Sequence, residues 1–270
     1  MSETSTDLFC ETIGSIDRSR LILPEFHRIY LMHTTDSTNA VCKRLAARNG
    51  TDCLVLTEQQ TAGRGRLGRR FASPQESGIY MSALLHPDLG QEELTCLTTA
   101  AAVAVARAIR CCCSRKAEIK WVNDILISGR KVCGILCESG FLKGRPAYSV
   151  LGIGINYSLP PGGFPQELRE IAGSIYDAPR SAAERTDFIR TLWQEFFSIY
   201  RALPSREYME DYRKFSCLLD ADITFLQNGE PQFARVLGID DDAHLRIRTF
   251  EGERSLYAGE VSVRPLNFSS

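Results

Sequence analysis

The segment Gln60-Thr61-Ala62-Gly63-Arg64-Gly65-Arg66-Leu67-Gly68-Arg69-Arg70 interleaves glycine with arginine, so it can be neither a helix nor an ordinary strand. Glycine accepts φ > 0 and lets a backbone approach a ligand closely. Arginine brings a planar, permanently charged fork that matches phosphate and carboxylate oxygens. Together they predict a loop, from about Gln60 to Gly78, that folds over an anion. A loop of this length is either functional or disordered. Arg-Gly pairs also occur in disordered RNA-binding segments, but those are normally repetitive. Here the cluster occurs once, between two predicted strands. Arg64, Arg66, Arg69 and Arg70 place four cations within seven residues. Their repulsion predicts a loop that is open or disordered without an anion and ordered with one.

The background makes this cluster stand out. The net charge is -1, which supplies no global basic field to gather nucleic acid. The hydrophobic and charged fractions, 44% and 24%, are ordinary for a soluble globular chain, and 270 residues suffice for one large domain and one small one. Ten cysteines (Cys10, Cys42, Cys53, Cys96, Cys111, Cys112, Cys113, Cys133, Cys137 and Cys217) show no paired spacing. The four histidines, His27, His33, His86 and His244, lie elsewhere, so a structural zinc set is not expected. A reduced, cytoplasmic protein is the simplest inference. No apolar run reaches the roughly 18–20 residues of a membrane span. Met1 to Asp17 lacks the apolar stretch of a secretory signal.

Residues 1–26 are weakly patterned and read as an N-terminal extension without a core of its own, too short for a helix-turn-helix domain. Residues 27–216 read as an α+β domain, a mixed sheet covered by helices. Its predicted strands are Arg28–His33, Cys53–Leu56, Ile79–Leu85, Ile119–Val122, Ile125–Ile127, Val132–Phe141 and Tyr148–Tyr157. Predicted helices follow Asp36-Ser37-Thr38-Asn39 and span about Glu92–Arg110, Ser181–Leu203 and Arg206–Ser216. Residues 217–270 hold four short strands at regular spacing, broken by Asn228-Gly229, Asp240-Asp241-Asp242 and Glu251-Gly252, as in a small SH3-like β-barrel.

Beside the glycine-arginine loop, four segments of the larger domain combine tight backbone with polar side chains. They are Asp36-Ser37-Thr38-Asn39, Lys120-Trp121-Val122-Asn123-Asp124, Arg130-Lys131-Val132-Cys133-Gly134-Ile135-Leu136 and Leu151-Gly152-Ile153-Gly154-Ile155-Asn156. Glycine inside a strand often marks the close approach of a ligand or of another backbone, a facing helix included. In order and spacing these segments, with the closing Ala258–Arg264, resemble the biotin–protein ligase family over about residues 28–266.

The resemblance implies a biotin/lipoate ligase-like catalytic domain with an SH3-like C-terminal domain, of the type without a DNA-binding domain. It implies biotin and ATP as substrates with Mg²⁺, and biotinyl-5'-adenylate as the intermediate. The partner it implies is a biotin carboxyl carrier protein or the biotinyl domain of a biotin-dependent carboxylase, with no DNA and no membrane. Whether the chain is a monomer or a homodimer stays open. Carried residue by residue, biotin falls to Ser37, Thr38, Gln60, Gly63, Arg64, Arg66, Lys131 and Gly134. The nucleotide falls to Arg66, Arg69, Phe71, Lys120, Asn123, Asp124 and Asn156, with Asp124 as the Mg²⁺ ligand. Lys131, Arg64, Arg66 and Lys120 are the expected catalytic cations. Two positions depart from the family pattern: Val122 stands where proline is usual, and Phe71 where some members have tryptophan. The rivals are a lipoate–protein ligase, a repressor that uses the adenylate as co-repressor, and a nucleic-acid module.

Overall fold

Small or polar residues alternate with apolar ones along the central strands, and this alternation divides one sheet into two unlike faces. The structure is a computed structural model that describes residues 7–10, 13–227, 230–257 and 263–265. The strands are β1 (Asp7–Cys10), β2 (Arg28–Thr35), β3 (Cys53–Gln60), β4 (Gly78–Leu85), β5 (Ala117–Lys120), β6 (Asp124–Ile127), β7 (Arg130–Leu142) and β8 (Arg145–Asn156). They lie in the order β1-β2-β3-β4-β8-β7-β6-β5. The β1–β2 and β2–β3 pairs are parallel and all others antiparallel, so the sheet is mixed as expected.

Leu54, Leu56, Ile79, Met81, Ala83, Leu151, Ile153 and Ile155 join the large core on one face. Helices α2 (Leu94–Cys113), α3 (Ala182–Arg201) and α4 (Tyr208–Phe215) build the rest of that core. Every residue from Ala100 to Ala106 in α2 is buried, and these small side chains let the helix approach both α3 and the sheet. By length and composition α2 could cross a membrane, yet most of it is buried inside the fold. A capping box starts α3: Glu184 N–H donates to Ser181 Oγ at 3.2 Å, and Ser181 N–H donates to Glu184 Oε2 at 3.1 Å. Residues 13–26 join this core through Ile13, Leu21, Leu23 and Phe26, and the Phe26 ring meets Trp193 edge-on at 5.1 Å.

The opposite face carries a smaller core of Val41, Cys42, Cys53, Val55, Leu84 and Val150 under helix α1 (Thr38–Ala46). Strands β6 and β7 are joined by the two-residue turn Ser128-Gly129, at φ 50° and 76°. The peptide bond between Trp121 and Val122 is cis. The small β-domain is a five-stranded antiparallel sheet of β9 (Asp222–Gln227), β10 (Glu230–Ile239), β11 (Leu245–Thr249), β12 (Gly252–Leu256) and β13 (Val263–Pro265), in the order β12-β11-β10-β9-β13. Trp121 Nε1 donates to Ala243 O at 2.8 Å and Cys217 N–H to Ile119 O at 3.0 Å, tying this sheet to the end of β5.

Candidate active site

On the α1 face the sheet surface is interrupted by three glycines on neighbouring strands. Gly134 lies opposite Gly154, and Leu136 and Ser82 lie opposite Gly152. The missing side chains admit specific neighbours. A Cβ on Gly152 would stand 2.1 Å from Asn39 Oδ1, and one on Gly154 2.7 Å from the Phe71 ring. At Gly134 a Cβ would come 3.1 Å from Lys131 Nζ. Gly152→Ala is therefore expected to overpack this buried contact and lower stability by about 1–3 kcal/mol in denaturant unfolding.

Over this gap lies a cleft that is open to solvent on one side and lined by both polar and apolar groups. One wall is neutral and polar. Ser37 occupies the N-cap of α1, but its side chain makes no capping bond. Thr38 N–H donates to Gln60 Oε1 at 2.9 Å, and Gln60 Nε2 donates to Ser73 Oγ at 2.8 Å, which fixes the Gln60 amide. Asp36, just outside, accepts two bonds from Arg44 at 2.8 and 2.9 Å, and that guanidinium holds its carboxyl well below the ordinary range.

The opposite wall is cationic. The glycine-arginine loop is folded, with Gly65 N–H donating to Arg69 O at 2.8 Å and Phe71 N–H to Gly63 O at 3.0 Å. Gly63 is required at the root of the loop, since a Cβ would stand 2.4 Å from Phe71 O. The tip is a 3-10 turn over Arg66–Gly68, with Leu67 at φ 55°. Arg66 points inward and donates to Asn123 Oδ1 at 2.9 Å. Burial pulls the Arg66 guanidinium below its ordinary pKa, with Asp124 opposing. Lys131 Nζ donates to Asp124 Oδ1 at 2.6 Å, and Arg64 lies 3.6 Å from Glu138. Burial works to raise the Glu138 carboxyl, but hydrogen bonds from Asn39 and Lys43 and the charges of Lys43 and Arg64 outweigh it, leaving the group below its ordinary value.

Ser37, Thr38, Gln60, Arg64, Arg66, Phe71, Asn123, Lys131 and Gly134, to which the resemblance assigns biotin or nucleotide, all line one cleft. Other expected residues sit beside it. Asp124 stands behind Lys131, and Lys120 lies opposite Asp124 at the end of β5. Arg69 is exposed. Asn156 donates to Lys131 O at 3.3 Å and Gly173 O at 2.9 Å, so in this arrangement it braces the strand that bears Lys131. Ile171–Gly173, with no motif of its own, completes that brace: Lys131 N–H donates to Ile171 O at 2.8 Å and Gly173 N–H to Lys131 O at 2.9 Å. Ser82 and Glu138 were not visible as site residues either. The one signal for Ser82 is its place in β4, where Tyr80, Ser82 and Leu84 alternate with the core-facing Ile79, Met81, Ala83 and Leu85.

The family model described as the biotin/lipoate A/B protein ligase family matches residues 31–156. The biotin–[acetyl-CoA-carboxylase] ligase of Paracoccus denitrificans is 32% identical over 251 residues, 86% of this chain and 98% of the relative. The bifunctional ligase/repressor BirA of Bacillus subtilis is 32% identical over 241 residues, 88% of this chain and 74% of the relative. Biotin protein ligase from Aquifex aeolicus, solved in complex with biotin and ATP, shares the fold with a TM-score of 0.72 at 23% identity, covering 88% of this chain and 98% of that one. The chain belongs to the biotin protein ligase family.

Proposed function

We propose that this chain is a biotin–[acetyl-CoA-carboxylase] ligase that makes biotinyl-5'-adenylate from biotin and ATP and transfers the biotinyl group to a lysine of a biotin carboxyl carrier protein or a carboxylase's biotinyl domain. The supporting observation is one cleft that joins a neutral polar wall, Ser37, Thr38 and Gln60, to three cations, Arg64, Arg66 and Lys131. The neutral wall suits the ureido ring of biotin, with its N–H donors and carbonyl acceptor. The cationic wall suits a carboxylate meeting a phosphate.

Both reactants of the first step are anions, so the chemistry asks for charge neutralisation and alignment rather than a protein nucleophile. A biotin carboxylate oxygen bonds to the α-phosphorus of ATP, and the bond to the β-phosphate oxygen breaks, releasing pyrophosphate with the electron pair. Lys131 would bridge the carboxylate and the phosphate, exchanging Asp124 for the reacting oxygens. Arg64 and Arg66 would close over the adenylate, and closure would keep water from the mixed anhydride. Lys120, Arg69, Phe71, Asn123 and Asn156 would serve the nucleotide. In the second step the acceptor amine attacks the acyl carbon, the C–O bond to phosphate breaks, and AMP leaves as the nitrogen loses its proton.

Mg²⁺ fits as an ion that arrives with ATP. It binds through one or two carboxylates plus phosphate oxygens, and Asp124 supplies one carboxylate beside Lys131. Among the described residues no cluster of three His, Cys, Asp or Glu side chains could hold a resident metal. Bound there, the ion would offset phosphate charge. A reducing, cytoplasmic setting is part of the proposal, supported by the absence of disulfides among the described cysteines. Action without a DNA partner is also part of it, supported by the net charge of -1.

Intact-mass measurement of a carrier domain incubated with the chain, biotin and Mg·ATP tests the transfer. One added biotinyl group, abolished by Lys→Arg at the acceptor lysine, is expected; an unmodified acceptor overturns the transfer step. Loop ordering gives a separate expectation. Limited trypsin cleavage at Arg64–Arg70 should slow about tenfold with saturating biotin and Mg·ATP, and unchanged cleavage would rule out ordering by the ligands.

A further inference from the structure

Beneath the neutral wall lies a largely buried chain of polar groups, Glu138, Asn39 and Ser82, to which the reaction above assigns no role. Asn39 Nδ2 donates to Glu138 Oε2 at 2.9 Å and to Leu136 O at 3.4 Å. A carboxylate and a carbonyl can only accept, so they fix the amide with its NH₂ toward Glu138 and its oxygen toward Ser82. Ser82 Oγ lies 2.6 Å from Asn39 Oδ1 and 2.7 Å from Thr38 Oγ1. Ser82 has one proton and is completely buried, with Asn39 and Thr38 nearly so.

The contact lengths favour one arrangement of the protons. Asn39 Oδ1 has no hydrogen, so it takes the Ser82 proton. In that arrangement Ser82 Oγ accepts from the Thr38 hydroxyl, the shorter of the two contacts open to that proton. The alternative acceptor for Thr38, Gln60 Oε1, is farther away at 3.2 Å and already receives Thr38 N–H at 2.9 Å. With its proton committed to Ser82, the Thr38 oxygen turns its remaining lone pair to the cleft.

We propose that Glu138 is a positioning residue which, through Asn39 and Ser82, fixes the Thr38 hydroxyl as a hydrogen-bond acceptor for an N–H of the bound acid's ring. This rests on the functional reading above, since it takes the neutral wall as the site of the ureido group. It also separates two possible substrates of the same cleft. A ureido ring brings N–H donors to a dedicated acceptor, whereas a dithiolane ring brings none and would leave the Thr38 lone pair unpaired.

Glu138 also faces Lys43 Nζ at 2.6 Å and Arg64 at 3.6 Å, so charge and relay must be told apart. The variants E138A, E138Q, S82A and E138A/S82A would be compared by steady-state biotin-dependent pyrophosphate exchange, each with its melting temperature. E138Q loses the charge but keeps an acceptor oxygen for Asn39, while half-buried Lys43 can turn to water. E138A and S82A should each raise the KM for biotin about tenfold, the scale of one hydrogen bond. The double variant should match the single ones, because both break one chain. The KM for ATP and kcat should stay at wild-type values, and E138Q should restore most of the biotin KM.

E138Q as weak as E138A would assign the effect to charge and overturn the relay. Additive losses in the double variant, or an ATP KM that moves with the biotin KM, would overturn it as well. A wild-type chain without biotin-dependent exchange would instead overturn the proposed function, so the two failures are distinct.

Discussion

Lys131→Ala is expected to lower biotin-dependent pyrophosphate exchange by a factor of about 10²–10³, the usual cost of removing a group aimed at transition-state charge. The residue is placed for this role by its surroundings. Asn156, Ile171 and Gly173 bracket its backbone, and Gly134 leaves the space through which its side chain runs. Its ammonium reaches Asp124 at 2.6 Å in the same cleft as Arg66. Both reacting groups are anionic, so in the proposed arrangement losing this cation removes attraction and alignment together. The side chain is about one-third exposed, so the fold should survive. Exchange kinetics with a parallel thermal melt measure both quantities. Exchange within tenfold of wild type would place the bridging charge elsewhere.

Trp193→Ala is expected to destabilise the chain by about 3–5 kcal/mol, a cost typical of deleting a large buried ring. Trp193 is fully buried, with ring contacts to Phe26 at 5.1 Å, Phe196 at 5.4 Å and Phe197 at 6.1 Å. These residues come from the N-terminal segment and from α3, so the ring joins two distant stretches of chain. Its indole N–H has no hydrogen-bond partner among the described residues, so Trp193→Phe loses volume but no such bond and should cost less than alanine. Urea unfolding followed by fluorescence and circular dichroism gives both values. Equal losses for the two variants would show that apolar contact is not what the ring supplies.

Most strands and helices were legible from their apolar runs, as in α2 and β4, both largely buried, whereas β1 and β13 were not among the expected strands. The cleft was legible where a segment broke its own local rules, with arginine set among glycines at 63–70 and glycine placed inside β7 and β8. Glu138 and Ser82 were not legible. Each looks like an ordinary strand residue, and each matters only because register brings β4, β7 and α1 to one point. The same holds for Ile171–Gly173, whose partner at Lys131 lies far away in sequence. Residues 13–26 look unpatterned because their apolar side chains fill gaps in a core built by other elements. Periodicity reports an element's own face and is silent about such filling.

Radiolabelled pyrophosphate exchange into ATP with Mg²⁺, run with biotin, with lipoate and with neither acid, tests the account most directly. Exchange that depends on biotin and is not supported by lipoate is the predicted result. Exchange with lipoate alone would keep the acyl-adenylate chemistry but contradict the reading of Thr38 and Gln60 as a ureido site, and no exchange with either acid would contradict the assignment of the cationic wall to adenylate formation.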